Sequence, residues 1–158
     1  QAVEQALGEF MESREREGEQ LKEDILAKLH GMNSNISGIE ERYPQMVGDY
    51  RKKLTDKVRE LLADSNIDES RIATEVVIYA DKICVDEETV RLRSHITGME
   101  EELLRGGNVG RKLDFIAQEM NREANTILSK ANDITVSNMA IDLKTEIEKI
   151  REQVQNIE

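Results

Sequence analysis

The chain of 158 residues has no tryptophan, one proline, one cysteine and only five aromatic side chains: Phe10, Tyr43, Tyr50, Tyr79 and Phe115. So few rings leave the core to aliphatic side chains and argue against a base-stacking platform of several rings. One cysteine excludes an internal disulfide, and the place of Cys84 between Ile83 and Val85 predicts a small buried hydrophobe. No apolar run approaches the roughly 18 residues of a membrane span, and neither an apolar leader core nor a twin-arginine pair occurs, which predicts a cytoplasmic protein with no membrane partner. Positive charge is short too. Against 33 Asp and Glu stand 22 Lys and Arg, a net charge of −11, so charge by itself does not attract a polyanion. The basic residues read as dispersed, and the least acidic part is 111–158, with seven basic against nine acidic residues.

What is present is helical periodicity. Hydrophobic residues at 38% and charged residues at 35% fit a folded chain with a polar surface rather than a disordered acidic tail. No strict alternation of apolar and polar residues persists, and no Gly-rich phosphate loop, CxxC pair or HExxH occurs, so the predicted fold class is all α. The chain opens at Gln1 with Val3, Leu7 and Phe10 already at helical spacing, as if entered partway along a helix, and reads as a fragment of a longer protein.

From Ile25 the apolar positions step by four and three through Leu29, Met32, Ile36, Ile39, Tyr43 and Met46 to Tyr50. Pro44 falls inside this seam. Because the phase survives it, one long, Pro-kinked helix over about 1–63 is expected rather than two. Gly18, Gly31, Gly38 and Gly48 each cost about 1 kcal/mol relative to alanine in a helix, so the element needs tertiary or partner contacts. Residues 63–67 are polar and turn-like. Asp68 predicts the cap of a helix over about 69–83 with the stripe Ile72, Val76, Tyr79, Ile83. Asp86 predicts the next cap, for a helix over about 87–105 carrying Leu92, Ile96, Met99 and Leu103 and stopped by Gly106 and Gly107. Gly110 opens a helix over about 110–130, and Asp133 caps the last, about 134–157, whose seam runs from Val136 to Ile157. The whole, 1–158, is expected to be one domain of long antiparallel helical hairpins with coiled-coil-like seams, and an exposed seam on the first helix predicts self-association.

Two constellations hold chemistry-bearing side chains. In the helix from Gly110, Asp114, Gln118, Asn121, Arg122 and Asn125 recur at steps of three and four, with Glu119 and Glu123 one turn apart beside them. Asparagine promotes helix poorly, so amides at these positions suggest a binding face. Glu119 and Glu123 at i, i+4 offer oxygen ligands to a divalent metal, or else salt-bridge partners for Arg122. Arg111, Lys112, Arg122 and Lys130 are the cations placed to meet phosphates. In the preceding helix, Glu87, Arg91 and His95 stack at steps of four beside Glu88, and an imidazole is suited to proton transfer near neutral pH. A boundary histidine hydrogen-bonded to a neighbour is the structural alternative.

The blocks GRKLDFIAQEMNREANTILSK at 110–130 and KTEIEKIREQVQNIE at 144–158 resemble the YicC/YloC family of bacterial stress-associated endoribonucleases, with weaker support from REREGEQL at 14–21 and DEETVRLRSH at 86–95. The resemblance implies the helical C-terminal domain of a protein whose strand-containing N-terminal domain lies outside this chain. It also implies cleavage of single-stranded RNA with a divalent cation, Mg²⁺ or Mn²⁺, and assembly into a homo-oligomer, a hexamer in the full-length protein. The family-like polar positions are Glu17, Glu87, Glu88, Arg91, His95, Arg111, Lys112, Asp114, Gln118, Glu119, Asn121, Arg122, Glu123, Asn125, Arg151 and Glu152. Asn108 and Leu128 depart from it, where relatives often carry proline and a small residue. On this reading His95, Glu88 and Arg91 are catalytic and Glu119 and Glu123 hold the metal. Arg111, Lys112, Gln118, Asn121, Arg122 and Asn125 bind RNA. The competing reading is a non-catalytic acidic helical oligomerisation or adaptor domain.

Overall fold

Apolar seams on every predicted helix need partners, and four of the helices supply them to one another. The computed structural model describes residues 2–62 and 68–155, and only the backbone at 2–4 and 6. It contains α1 (Ala2–Leu62), α2 (Glu69–Ile83), α3 (Asp86–Arg105), α4 (Gly110–Lys130) and α5 (Ile134–Val154), with no strand among the described residues. The expected turn at 63–67 and the last seam residue, Ile157, lie outside the described residues.

α1, α3, α4 and α5 close a four-helix bundle in which α3 packs on α4, α4 on α5, α5 on α1 and α1 on α3. Polar pairs fix the directions. His30 faces Glu100 while Ser37 meets Arg93, so α3 runs antiparallel to α1. Asp24 meets Gln153 while Arg42 meets Asp133, so α5 does too. α2 and α3 both run antiparallel to α1 and dock along it in succession, α2 toward its C-terminal end.

The core is the set of seams read from the sequence. Ile25, Leu29, Met32, Ile36, Ile39 and Met46 of α1 are buried with Leu92, Ile96 and Met99 of α3, Leu113, Met120 and Ile127 of α4, and Leu143, Ile147 and Ile150 of α5. Each such aliphatic side chain contributes on the order of 1.5–3 kcal/mol when fully buried. α1 continues through Pro44 as one helix, with the proline on the exposed side and Tyr43 and Met46 turned inward. At about 90 Å it outruns the bundle, and Leu7, Phe10 and Met11 are exposed on its N-terminal arm. No described helix is long and apolar enough to cross a membrane.

The caps follow the sequence with one correction. Asp68 accepts from Ser70 N at 3.0 Å. Asp133 accepts from Thr135 N and Val136 N at 3.0 and 3.1 Å. Gly106 and Gly107 end α3 with φ of +68° and +85°, a region that only glycine enters freely. Asp86, expected as a cap, is the first residue of α3. Val85 occupies the cap position without a side-chain bond, and the carboxylates of Asp86, Glu87 and Glu88 meet the positive helix end instead. Cys84 is half-buried rather than a core residue, because the core is reached by its neighbours Ile83 and Val85.

Candidate functional site

The antiparallel packing of α3 on α4 builds a seam of charged side chains from residues that the sequence singles out. At one end Lys130 Nζ donates to Glu88 Oε1 at 2.9 Å and to the Cys84 carbonyl at 3.0 Å. The Glu88 side chain is only 9% exposed, and its Oε2 is buried without a hydrogen-bond partner. One turn on, Arg91 donates to Glu87 Oε2 at 2.8 Å, and its other terminal nitrogen lies 3.9 Å from Oε1 of the buried Glu123. At the far end Glu102 accepts from Lys112 at 2.7 Å and pairs with Arg105 at 2.8 Å. The hydrogen bond from Lys112 holds the Glu102 carboxyl below the usual carboxylate range, with Arg105 adding to it and burial opposing it. The register set by these pairs places His95 at the level of Glu119. His95 is half-buried and makes no hydrogen bond or ion pair among the described residues.

The structure therefore brings His95, Arg91, Glu88, Glu119 and Glu123 to one seam, and it separates the amides from them. Gln118 donates to Asp114, which in turn pairs with Arg151 of α5 at 3.1 Å. Asn121 lines a cavity of about 620 Å³ with Ile141, Lys144, Thr145 and Glu148 of α5. Asn125, Gln118, Arg111 and Arg122 are exposed, and Arg122 reaches Glu119 only at 4.0 Å. Lys112 is committed to Glu102. The face expected to carry acids and amides together is two flanks, one toward α3 and one toward α5.

The same arrangement bears on the metal. Glu119 and Glu123 offer two carboxylates, Glu123 already faces Arg91, and no group of three or more His, Cys, Asp or Glu side chains able to hold an ion exists among the described residues. Mg²⁺ is commonly held by one or two carboxylates, with water and substrate phosphate completing its roughly six ligands, so Glu119 and Glu123 are enough donors in number, but Glu123 lies against Arg91.

Several functional features are absent from the sequence reading. Arg93 ties α3 to α1 through Asn33, Ser37 and Glu40, at 3.1, 2.9 and 2.9 Å. His30 lies 3.6 Å from Glu100. Tyr50 and Tyr79 stack with centroids 3.8 Å apart and planes 10° from parallel. They line a cavity of about 430 Å³ with Arg42, Met46, Asp49, Lys53, Leu54, Lys57, Asn132 and Asp133. Lys53 and Lys57 belong to a run from Arg51 to Arg59 with five basic residues and one acid, so the basic residues are not dispersed.

Fold and site define a class: an all-helical antiparallel bundle domain whose third and fourth helices hold arginine, histidine and carboxylates along one seam. Residues 39–158 match the family described as "Endoribonuclease YicC-like, C-terminal", and the chain belongs to that family. It is 49% identical over 159 aligned residues to a protein of Clostridioides difficile named "Probable endoribonuclease YicC", covering 100% of this chain and 54% of the relative. It is 36% identical over 157 residues to the protein of the same name from Haemophilus influenzae, covering 99% of this chain and 54% of the relative. The chain thus spans about half the length of these curated relatives.

Proposed function

We propose that this chain is the helical C-terminal part of an endoribonuclease that cleaves phosphodiester bonds of single-stranded RNA and works as a homo-oligomer. The observation that carries the reading is the 49% identity, over the whole chain, to a protein named as an endoribonuclease. The geometry supports it at the α3/α4 seam. The imidazole of His95 is uncommitted and partly open to solvent, with Arg91 one turn away and Glu119 at its level. In this reading His95 moves a proton to or from a phosphodiester oxygen, and the exposed guanidinium groups of Arg111 and Arg122 receive phosphate. Glu88 and Glu123 orient the cations: Glu88 holds Lys130, and Glu123 with Glu87 holds Arg91. No step is routed through a metal ion; Glu119 and Glu123 are the carboxylates that would hold one.

The test is cleavage of labelled single-stranded RNA by the full-length protein, with and without Mg²⁺, Mn²⁺ or chelator. His95→Ala is expected to lower the rate by about 100-fold or more with helicity unchanged, the usual contribution of a positioned proton-transfer group. Unaltered cleavage by a folded His95→Ala protein overturns the assignment. A second reading, a non-catalytic oligomerisation or adaptor domain, draws on the commitment of Glu88, Lys112 and Lys130 to interhelical pairs. It is favoured if full-length protein neither binds nor cuts RNA.

A further inference from the structure

A chain of net charge −11 carries one strongly basic stretch, and the structure sets it beside its only stacked pair of aromatic rings among the described residues. Among the described residues Arg51, Lys52, Lys53, Lys57 and Arg59 form no ion pair, and all are exposed near the C-terminal end of α1. The cavity of about 430 Å³ lies between this stretch, α2 and the α4–α5 turn. Its cations differ in availability. Arg42 is held by Asp133 at 2.8 Å and Asp49 at 3.3 Å, whereas Lys53 and Lys57 have no carboxylate partner among the described residues. Tyr50 and Tyr79, stacked on one another, line it together, and Asn132, exposed and without a partner among the described residues, supplies an amide able both to donate and to accept.

We infer that this cavity binds one nucleotide of a single-stranded RNA, its base against the Tyr50–Tyr79 pair and its flanking phosphates on Lys53 and Lys57. Cations beside an aromatic stack are the combination by which single strands are held, since the lysines neutralise the backbone and any base has a flat face to offer. An acidic peptide would use the lysines and leave the rings without a partner. Position fits as well. Asn132 and Asp133 follow Lys130 directly, so the cavity lies at the end of the bundle where Lys130 meets Glu88. The inference rests on the endoribonuclease reading, because it takes RNA as the ligand.

Anisotropy of a short fluorescein-labelled oligouridylate, titrated with full-length protein over a range of salt, tests it. Lys53→Gln with Lys57→Gln is expected to weaken binding and to reduce the slope of log K against log salt by about 1.4, about 0.7 for each lost phosphate contact. Tyr79→Leu is expected to weaken binding about tenfold with the slope unchanged, and Tyr79→Phe to bind like wild type. Should Tyr79→Leu fail to fold, the exposed lysine pair still decides, since unchanged affinity and slope in that variant overturn the inference. Displacement of the RNA by polyglutamate as readily as by unlabelled RNA also overturns it, by marking a general polyanion surface. If wild type neither binds nor cuts RNA, the endoribonuclease reading itself fails. If wild type does both and the variants match it, only the cavity assignment fails.

Discussion

Asp133 performs two jobs with two oxygens, and a pair of substitutions separates them. Oδ1 caps α5 through Thr135 N and Val136 N, while Oδ2 accepts from Arg42 of α1 at 2.8 Å. Asp133→Ala removes both, and loss of the cap alone costs about 1 kcal/mol. In a chain of this size that corresponds to a fall in melting temperature of about 2–4 °C. Asp133→Asn keeps a good capping oxygen but loses the charge opposite Arg42, so it should fall between wild type and alanine. The two further differ in pH dependence. The hydrogen bond from Arg42 lowers the Asp133 pKa first, the Val136 and Thr135 amides lower it further, and burial opposes them. A carboxylate with a depressed folded-state pKa contributes stability that is present above its unfolded value of about 3.9 and lost as pH falls through the folded value. Urea melts of all three proteins should therefore show the gap between wild type and Asp133→Asn narrowing as pH drops below about 4, whereas the asparagine–alanine gap, set by the neutral cap, persists. Equal stability of Asn and Ala variants, or a wild-type advantage that grows in acid, would refute this account of how α5 is tied to α1.

Glycines in α1 provide a further check: a methyl group at Gly31 or Gly48 meets nothing within 4 Å, so Gly31→Ala and Gly48→Ala should each stabilise by about 0.5–1 kcal/mol in denaturant titration. Gly106→Ala should destabilise, since its φ is +68°. At the α3/α4 seam, Lys130→Met strands the buried Glu88 carboxylate and should be more destabilising than the double change Glu88→Leu with Lys130→Met, a sign reversal that a double-mutant cycle detects.

The helices were legible because burial imposes a period. Ile25 through Met46, Leu92 through Leu103 and Val136 through Val154 are buried where the three-and-four stepping puts them. Side-chain pairing was not legible, because Lys130 and Glu88 or Arg42 and Asp133 are chosen from dozens of charges by a packing that no local spacing specifies. The α4 polar face shows a subtler limit. At about 100° per residue, Asp114, Gln118, Asn121 and Asn125 stay within about 60° of one another, whereas Glu119 and Glu123, one or two positions away from those amides, point about 140–180° from Asp114 to the opposite flank. Glu123 ends against Arg91 while Asn121 ends beside α5. The run from Arg51 to Arg59 was visible in the letters, but a charge balance taken over long segments averages it against neighbouring acids. Its pairing with Tyr79 depends on α2 folding back along α1.

The order of packing around the bundle has a consequence for crowding. α4 touches α3 and α5 and stands across the bundle from α1. The long helix overhangs at its N-terminal arm, while Gln118, Arg122 and Asn125 look outward from α4, across the bundle from α1. A bulky neighbour gripping that arm leaves the far side unobstructed, so two bodies can occupy this small scaffold at once without competing for space.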